Sequence, residues 1–79
     1  MKIYFTITFK RLLNKSFWNY YIDLEDLSKW LRKTYENNIY LKRPIMKFKL
    51  KINWVSFRLV WIVKDEIILP LVIFLKKDN

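Results

Sequence analysis

The spacing of apolar and polar positions changes several times along this chain, and each change marks an element. Residues 3–9 alternate strictly, with Ile3, Phe5, Ile7 and Phe9 on one side and Tyr4, Thr6 and Thr8 on the other. β-Branched and aromatic residues at period two predict a strand there. Over residues 10–21 the apolar positions Leu12, Leu13, Phe17 and Tyr20 or Tyr21 follow Phe9 near helical spacing, which predicts a short helix. Residues 23–37 carry the clearest helical pattern. Leu24, Leu27, Leu31 and Tyr35 form one stripe with Trp30 beside them, and Asp23 is placed to cap the first turn. Glu25 and Asp26 sit where the helix dipole favours anions, and Asn37 and Asn38 suit a stop. Residues 41–44 read as a linker, because Pro44 disfavours helix at Arg43.

Period two then returns. Met46, Phe48, Leu50 and Ile52 face one way, and Lys47, Lys49 and Lys51 face the other. Residues 53–56 make a turn, after which Phe57, Leu59, Trp61 and Val63 alternate with Arg58, Val60, Ile62 and Lys64. Asp65 and Glu66 form a second turn. Residues 67–75 are apolar on both sides, as in a strand buried on both faces or one whose outer face meets a partner. Pro70 cannot donate to a ladder and implies an edge or a bulge. The expected fold is α+β, one domain over residues 1–79. It is a small antiparallel sheet, built from one N-terminal strand and a C-terminal three-stranded meander, with one or two N-terminal helices on one face.

Composition narrows the chemistry. The chain of 79 residues is 53% hydrophobic and 19% aromatic, a globular composition with room for one small core. It has no cysteine and no histidine, which removes disulfides, thiolate metal sites and the usual general base near neutral pH. Zinc hydrolases, Ser-His-Asp hydrolases and Cys-His enzymes are excluded on that ground. Glycine is absent as well, so no glycine-rich phosphate loop exists. Neither a metal nor another cofactor is expected. No stretch resembles a targeting signal, and the apolar run Ile67–Leu75 is far short of the roughly 20 residues of a membrane helix, so a soluble cytoplasmic protein is expected.

The net charge of +9 favours polyanions, and it is concentrated. Residues 1–40 carry net +3, residues 41–64 carry +7 with no acidic side chain, and residues 65–79 carry −1. With residues 53–56 as the turn, Ile52 faces Phe57 and Lys51 faces Arg58, with Lys49 diagonal to it; a three-residue loop would break that pairing. Directly opposed cations destabilise a sheet by a few tenths to about 1 kcal/mol. A lysine-alternating strand is equally the solvated face of an antiparallel sheet. Arg58, set among apolar residues, favours an anion site, since its planar fork matches phosphate. Trp54 can stack on a base or cover the end of the core. The aromatic cluster at residues 17–21 is read as core. A membrane-surface function is disfavoured, because the cations occupy strand positions and not a helix face.

One series of residues resembles a known family. Phe48-Lys49-Leu50-Lys51, then Phe57-Arg58-Leu59-Val60-Trp61, then Val63-Lys64-Asp65-Glu66, and an apolar strand ending in Lys76-Lys77 are similar to the core of the RelE/ParE toxin superfamily, most of all its RelE branch. The likeness is best over residues 46–77, and the preceding strand and helices agree in order. It implies a toxin of a type II toxin–antitoxin system, held in check by a cognate antitoxin. In the RelE branch such a toxin enters the ribosome and cleaves messenger RNA without a metal, the 2′-hydroxyl attacking the adjacent phosphate. The resemblance implies that Lys49 and Lys51 are the catalytic lysine pair, one of them a base with a lowered pKa. Arg58 would hold the scissile phosphate, and Lys77 or Lys76 would be the basic residue ending the last strand. Lys47, Trp54, Lys64 and Lys76 would complete the RNA contacts. Asp78 stands where the branch usually has an arginine, and Val55-Ser56 where it has a turn glycine. The alternatives are a gyrase poison of the ParE kind, or a degenerate or passive nucleic-acid-binding module.

Overall fold

A computed structural model describes residues 2–38 and 45–76, and among these residues are four strands and two helices. The order is β1 (Lys2–Ile3), α1 (Ile7–Ser16), α2 (Leu24–Asn37), β2 (Ile45–Ile52), β3 (Val55–Lys64) and β4 (Ile67–Leu75), with a single 3-10 turn at Trp18–Tyr20 before α2. The sheet runs β1-β4-β3-β2. β2, β3 and β4 form the expected antiparallel meander, and the short β1 joins β4 in parallel, so the sheet is mixed. The linker expected at residues 41–44 lies outside the described residues.

The strand expected over residues 3–9 is cut to Lys2–Ile3, residues 4–6 are irregular, and α1 takes residues 7–9. Thr6 is the reason. Its backbone is extended and its hydroxyl accepts from the Phe9 amide at 3.1 Å, which caps α1. From that start Phe9 and Leu13, four residues apart, both point into the core, and Ile7 is left 65% exposed. β1 stays two residues long, held by Lys2 N–H to Glu66 O at 3.3 Å and Tyr4 N–H to Ile68 O at 3.0 Å. The second helix forms as its pattern predicts, with Asp23 capping through Glu25 N–H at 2.8 Å.

Both turns of the meander lack glycine, yet both are two residues long with positive φ at each central position. This is what a type I′ hairpin requires. Asn53 and Trp54 have φ of 49° and 70°, and Asp65 and Glu66 have 52° and 62°. The first turn therefore closes earlier than a turn over residues 53–56, and Val55 and Ser56 already belong to β3. Asn53 tolerates the left-handed region, and its side-chain amide donates to Tyr20 O at 3.0 Å, which anchors the turn. Pro70 sits opposite Trp61 beside a bulge, where the register jumps from Val60–Val72 to Trp61–Pro70. It lies beyond the reach of β1, so its missing N–H breaks no ladder bond.

The core lies between the helices and one face of the sheet. Phe9, Leu13, Phe17, Leu27 and Leu31 meet Met46, Leu50, Phe57, Leu59, Trp61, Ile68 and Ile73. Aromatic edges knit the two layers, with Tyr20 against Phe57 at 5.3 Å and Tyr35 against Trp61 at 6.5 Å between ring centroids. The aromatic cluster at residues 17–21 is only partly core: Phe17 is buried, whereas Trp18 and Tyr21 project into solvent. Among the described residues no helix is long and apolar enough to cross a membrane.

Candidate nucleic-acid interface

Alternation along the three long strands sends a second set of side chains to the face opposite the helices. β2 contributes Lys47, Lys49 and Lys51, β3 contributes Ser56, Arg58, Val60, Ile62 and Lys64, and β4 contributes Leu69, Val72 and Phe74. The observed register corrects the expected one. Arg58 faces Lys49, and Lys51 faces Ser56, a displacement of two residues caused by the tighter Asn53 and Trp54 turn. Because a shift of two keeps every side chain on its face, the cations still share one surface.

Three cross-strand rows result. Lys51 faces Ser56, and Lys76 follows on β4, its N–H donating to Ser56 O at 3.0 Å. Lys49 faces Arg58, which faces Phe74. Lys47 faces Val60, which faces Val72. Neighbouring strands lie about 4.8 Å apart and alternate residues about 6.8 Å apart along a strand, so Lys49, Lys51, Arg58 and Lys76 fall within one nucleotide-sized patch. Arg58, Phe74, Leu75 and Lys76 line a shallow depression at its centre.

Aromatic rings flank the two outer lysines of β2. Lys47 Nζ lies 5.7 Å from the centre of the Phe74 ring, and Lys51 Nζ lies 5.6 Å from that of Trp54. Such cation–π contacts draw the two ammonium groups toward ring faces. Lys49 and Arg58 are left opposed across the ladder. Trp54 itself is 89% exposed, which removes the alternative that it covers the end of the core.

The cluster thus gathers Lys47, Lys49, Lys51, Arg58, Lys76 and Trp54. Lys64 stands apart at the far end of β3, six residues or about 20 Å from Arg58, facing Ile67. Lys77 lies outside the described residues. Sequence reasoning did not single out Ser56 and Phe74, which complete the first two rows. The signal that finds them is Asn53: an asparagine before a bulky residue between two alternating runs marks a two-residue turn, and that turn fixes every pairing.

The apolar half of the same face explains why β4 is hydrophobic on both sides. Leu71, Val72 and Phe74 are 44%, 39% and 38% exposed, so the strand is covered by helices on one side only. Chemically, the patch offers donors of positive charge, one fork and an adjacent hydrophobic strip. Among the described residues, no three or more His, Cys, Asp or Glu side chains are grouped to hold a metal ion. No protein-family model matches this chain, and neither a curated protein nor a solved structure matches it significantly.

Proposed function

We propose that the protein is the toxin of a type II toxin–antitoxin system, a RelE-like endonuclease that cleaves messenger RNA on the ribosome. The observation that carries this reading is the opposed pair Lys49 and Arg58, flanked by Lys51 and Lys76, on the sheet face opposite the helices. Like charges face each other there at a cost to the sheet, and a bound phosphate relieves it. The order of elements and the series from Phe48 to Lys76 agree with the resemblance stated above. In the reaction, Arg58 holds the scissile phosphate with its fork, and Lys76 and Lys49 balance the charge that grows on the non-bridging oxygens. The 2′-hydroxyl of the preceding nucleotide attacks that phosphorus, its proton passing to one lysine of the pair Lys49 and Lys51 in its neutral amine form; the bond to the 5′-oxygen breaks, that oxygen takes a proton from the ammonium of the other lysine, and a 2′,3′-cyclic phosphate remains. Positioning and charge carry the catalysis, and no cofactor is required. A segment of the cognate antitoxin would cover the exposed strip of Leu71, Val72 and Phe74.

The test is expression in a bacterial host with mapping of message ends. Growth arrest with cleavage of ribosome-bound message, lost in Arg58→Ala, supports the assignment. The rival is a protein that binds without cutting, as a gyrase poison or a passive nucleic-acid-binding module. It is favoured by one observation: lysine is the only proton-transfer group among the described residues of this face. Arrest with intact message and DNA damage favours the gyrase poison; unimpaired growth with salt-dependent RNA binding favours the passive module.

A further inference from the structure

The end of the molecule that carries the β2–β3 turn holds features the phosphate site does not use. Tyr21 and Trp54 are the most exposed large hydrophobic side chains among the described residues, at 79% and 89%. Both sit on left-handed backbone, with φ of 52° and 70°. A bulky residue in that region is strained, and such strain collects at binding sites. Here it is not repaid by burial. The Asn53 side chain, bonded to Tyr20 O at 3.0 Å, ties the two strained turns together. Beside them a groove of about 280 Å³ runs between the first turns of α2 and the edge of β2 that no described strand pairs, lined by Tyr21, Asp23, Asp26, Trp30, Lys51 and Asn53 among others. That volume is below the range of drug-sized pockets and suits a single ring system.

The charge of the groove is opposite to that of the sheet face. Asp23 and Asp26 line it in a chain of net charge +9. Asp23 is occupied as the helix cap, accepting from Glu25 N–H at 2.8 Å. Asp26 is exposed, and its carboxylate makes no hydrogen bond or ion pair with another described residue. Lys51 belongs to both regions, lining the groove and standing 5.6 Å from the Trp54 ring.

We propose that this groove receives one unpaired base of an RNA strand whose phosphates lie on Lys49, Lys51 and Arg58, and that it prefers bases with an exocyclic amino group to uracil. The inference rests on the reading of the sheet face as an RNA site. The carboxylates repel phosphate, so the strand keeps its backbone on the lysine side and turns a base over the β2 edge. Tyr21 and Trp30 contact the ring, Trp54 stacks on its neighbour, and Asp26 accepts from the amino group. Uracil offers a carbonyl oxygen in place of that amino group and meets the carboxylate unfavourably.

The experiment titrates the isotopically labelled full chain with cytidine and uridine, following amide shifts by NMR. It then measures affinity for short single-stranded oligoribonucleotides that differ at one central base. Cytidine is expected to shift Tyr21, Asp26 and Asn53 and to leave Arg58 in place. The cytosine oligonucleotide is expected to bind about tenfold tighter than its uracil counterpart. Asp26→Asn removes that preference without touching the helix cap. Tyr21→Asn, which keeps a residue tolerant of the left-handed backbone, weakens binding of both. Arg58→Ala weakens both equally and preserves the preference. Equal affinity for the two oligonucleotides, with binding still dependent on Arg58, overturns the base pocket and leaves the RNA site standing. No binding of any oligonucleotide overturns both.

Discussion

Arg58 on β3 lies directly across from Lys49 on β2, cation facing cation, on the side of the sheet opposite the helices. Such a pair weakens the isolated domain, which sets its cost to the fold against the anion-binding role proposed for it.

Separating those two roles gives the first prediction. Lys49→Thr keeps a good strand residue and removes the like-charge contact, and is expected to raise unfolding stability by a few tenths to about 1 kcal/mol. The same change is expected to reduce translation arrest sharply. Urea denaturation read beside a growth assay checks it. A variant that is less stable and still toxic would place Lys49 outside the site.

Trp54 predicts a second opposition between stability and function. Its φ of 70° suits glycine, and its ring is 89% exposed. Trp54→Gly is expected to relieve on the order of 1 kcal/mol of backbone strain. It is also expected to cost single-stranded RNA binding about 1–3 kcal/mol through lost stacking. Thermal melts and oligonucleotide titration report the two effects separately. Asn53→Ala, by contrast, loses both the left-handed tolerance and the bond to Tyr20 O, and is expected to destabilise by about 1–2 kcal/mol.

In the core, Trp61 is fully buried and its indole N–H has no hydrogen-bond partner among the described residues. A buried unpaired donor costs about 1–3 kcal/mol. Trp61→Phe removes that donor and leaves a small cavity, so the two effects oppose each other. The expected net loss is under about 2 kcal/mol, well below the 3–5 kcal/mol typical of truncating a buried aromatic to alanine. Equilibrium denaturation of both variants checks the difference.

How much of this was legible in the sequence depends on which residues are asked. The lysine alternation at residues 47–51 and the stripe on residues 24–35 each determined a face, because one periodicity fitted and no local bond competed. Residues 3–9 failed for the opposite reason. Their alternation fits a strand, but the Thr6 hydroxyl bonds the Phe9 amide and starts a helix that buries Phe9 with Leu13. The pattern could not weigh a cap against a pairing partner that lies more than 60 residues away at Ile67 and Ile68. Lys51 was set opposite Arg58 because glycine-free turns give little warning of their length. Thr6→Ala follows as a test: it is expected to cost about 1 kcal/mol and to fray the start of α1, visible as loss of amide-exchange protection at Phe9 and Lys10.

Arg58 also distinguishes a charged surface from a catalytic one. If Lys49, Lys51, Arg58 and Lys76 each meet a phosphate, the logarithm of single-stranded RNA affinity is expected to fall with the logarithm of salt at a slope of about −3. Arg58→Lys keeps the charge and therefore the slope. It loses the planar fork that grips two phosphate oxygens, and cleavage is expected to drop on the order of 10²-fold. Arg58→Ala flattens the slope by about 0.7 and abolishes cleavage. Affinity as a function of salt, measured beside message cleavage for the three proteins, reads both effects. Full cleavage by Arg58→Lys would mean that the site uses this residue as a point charge alone, and the phosphate-gripping role would pass from Arg58 to its lysine neighbours.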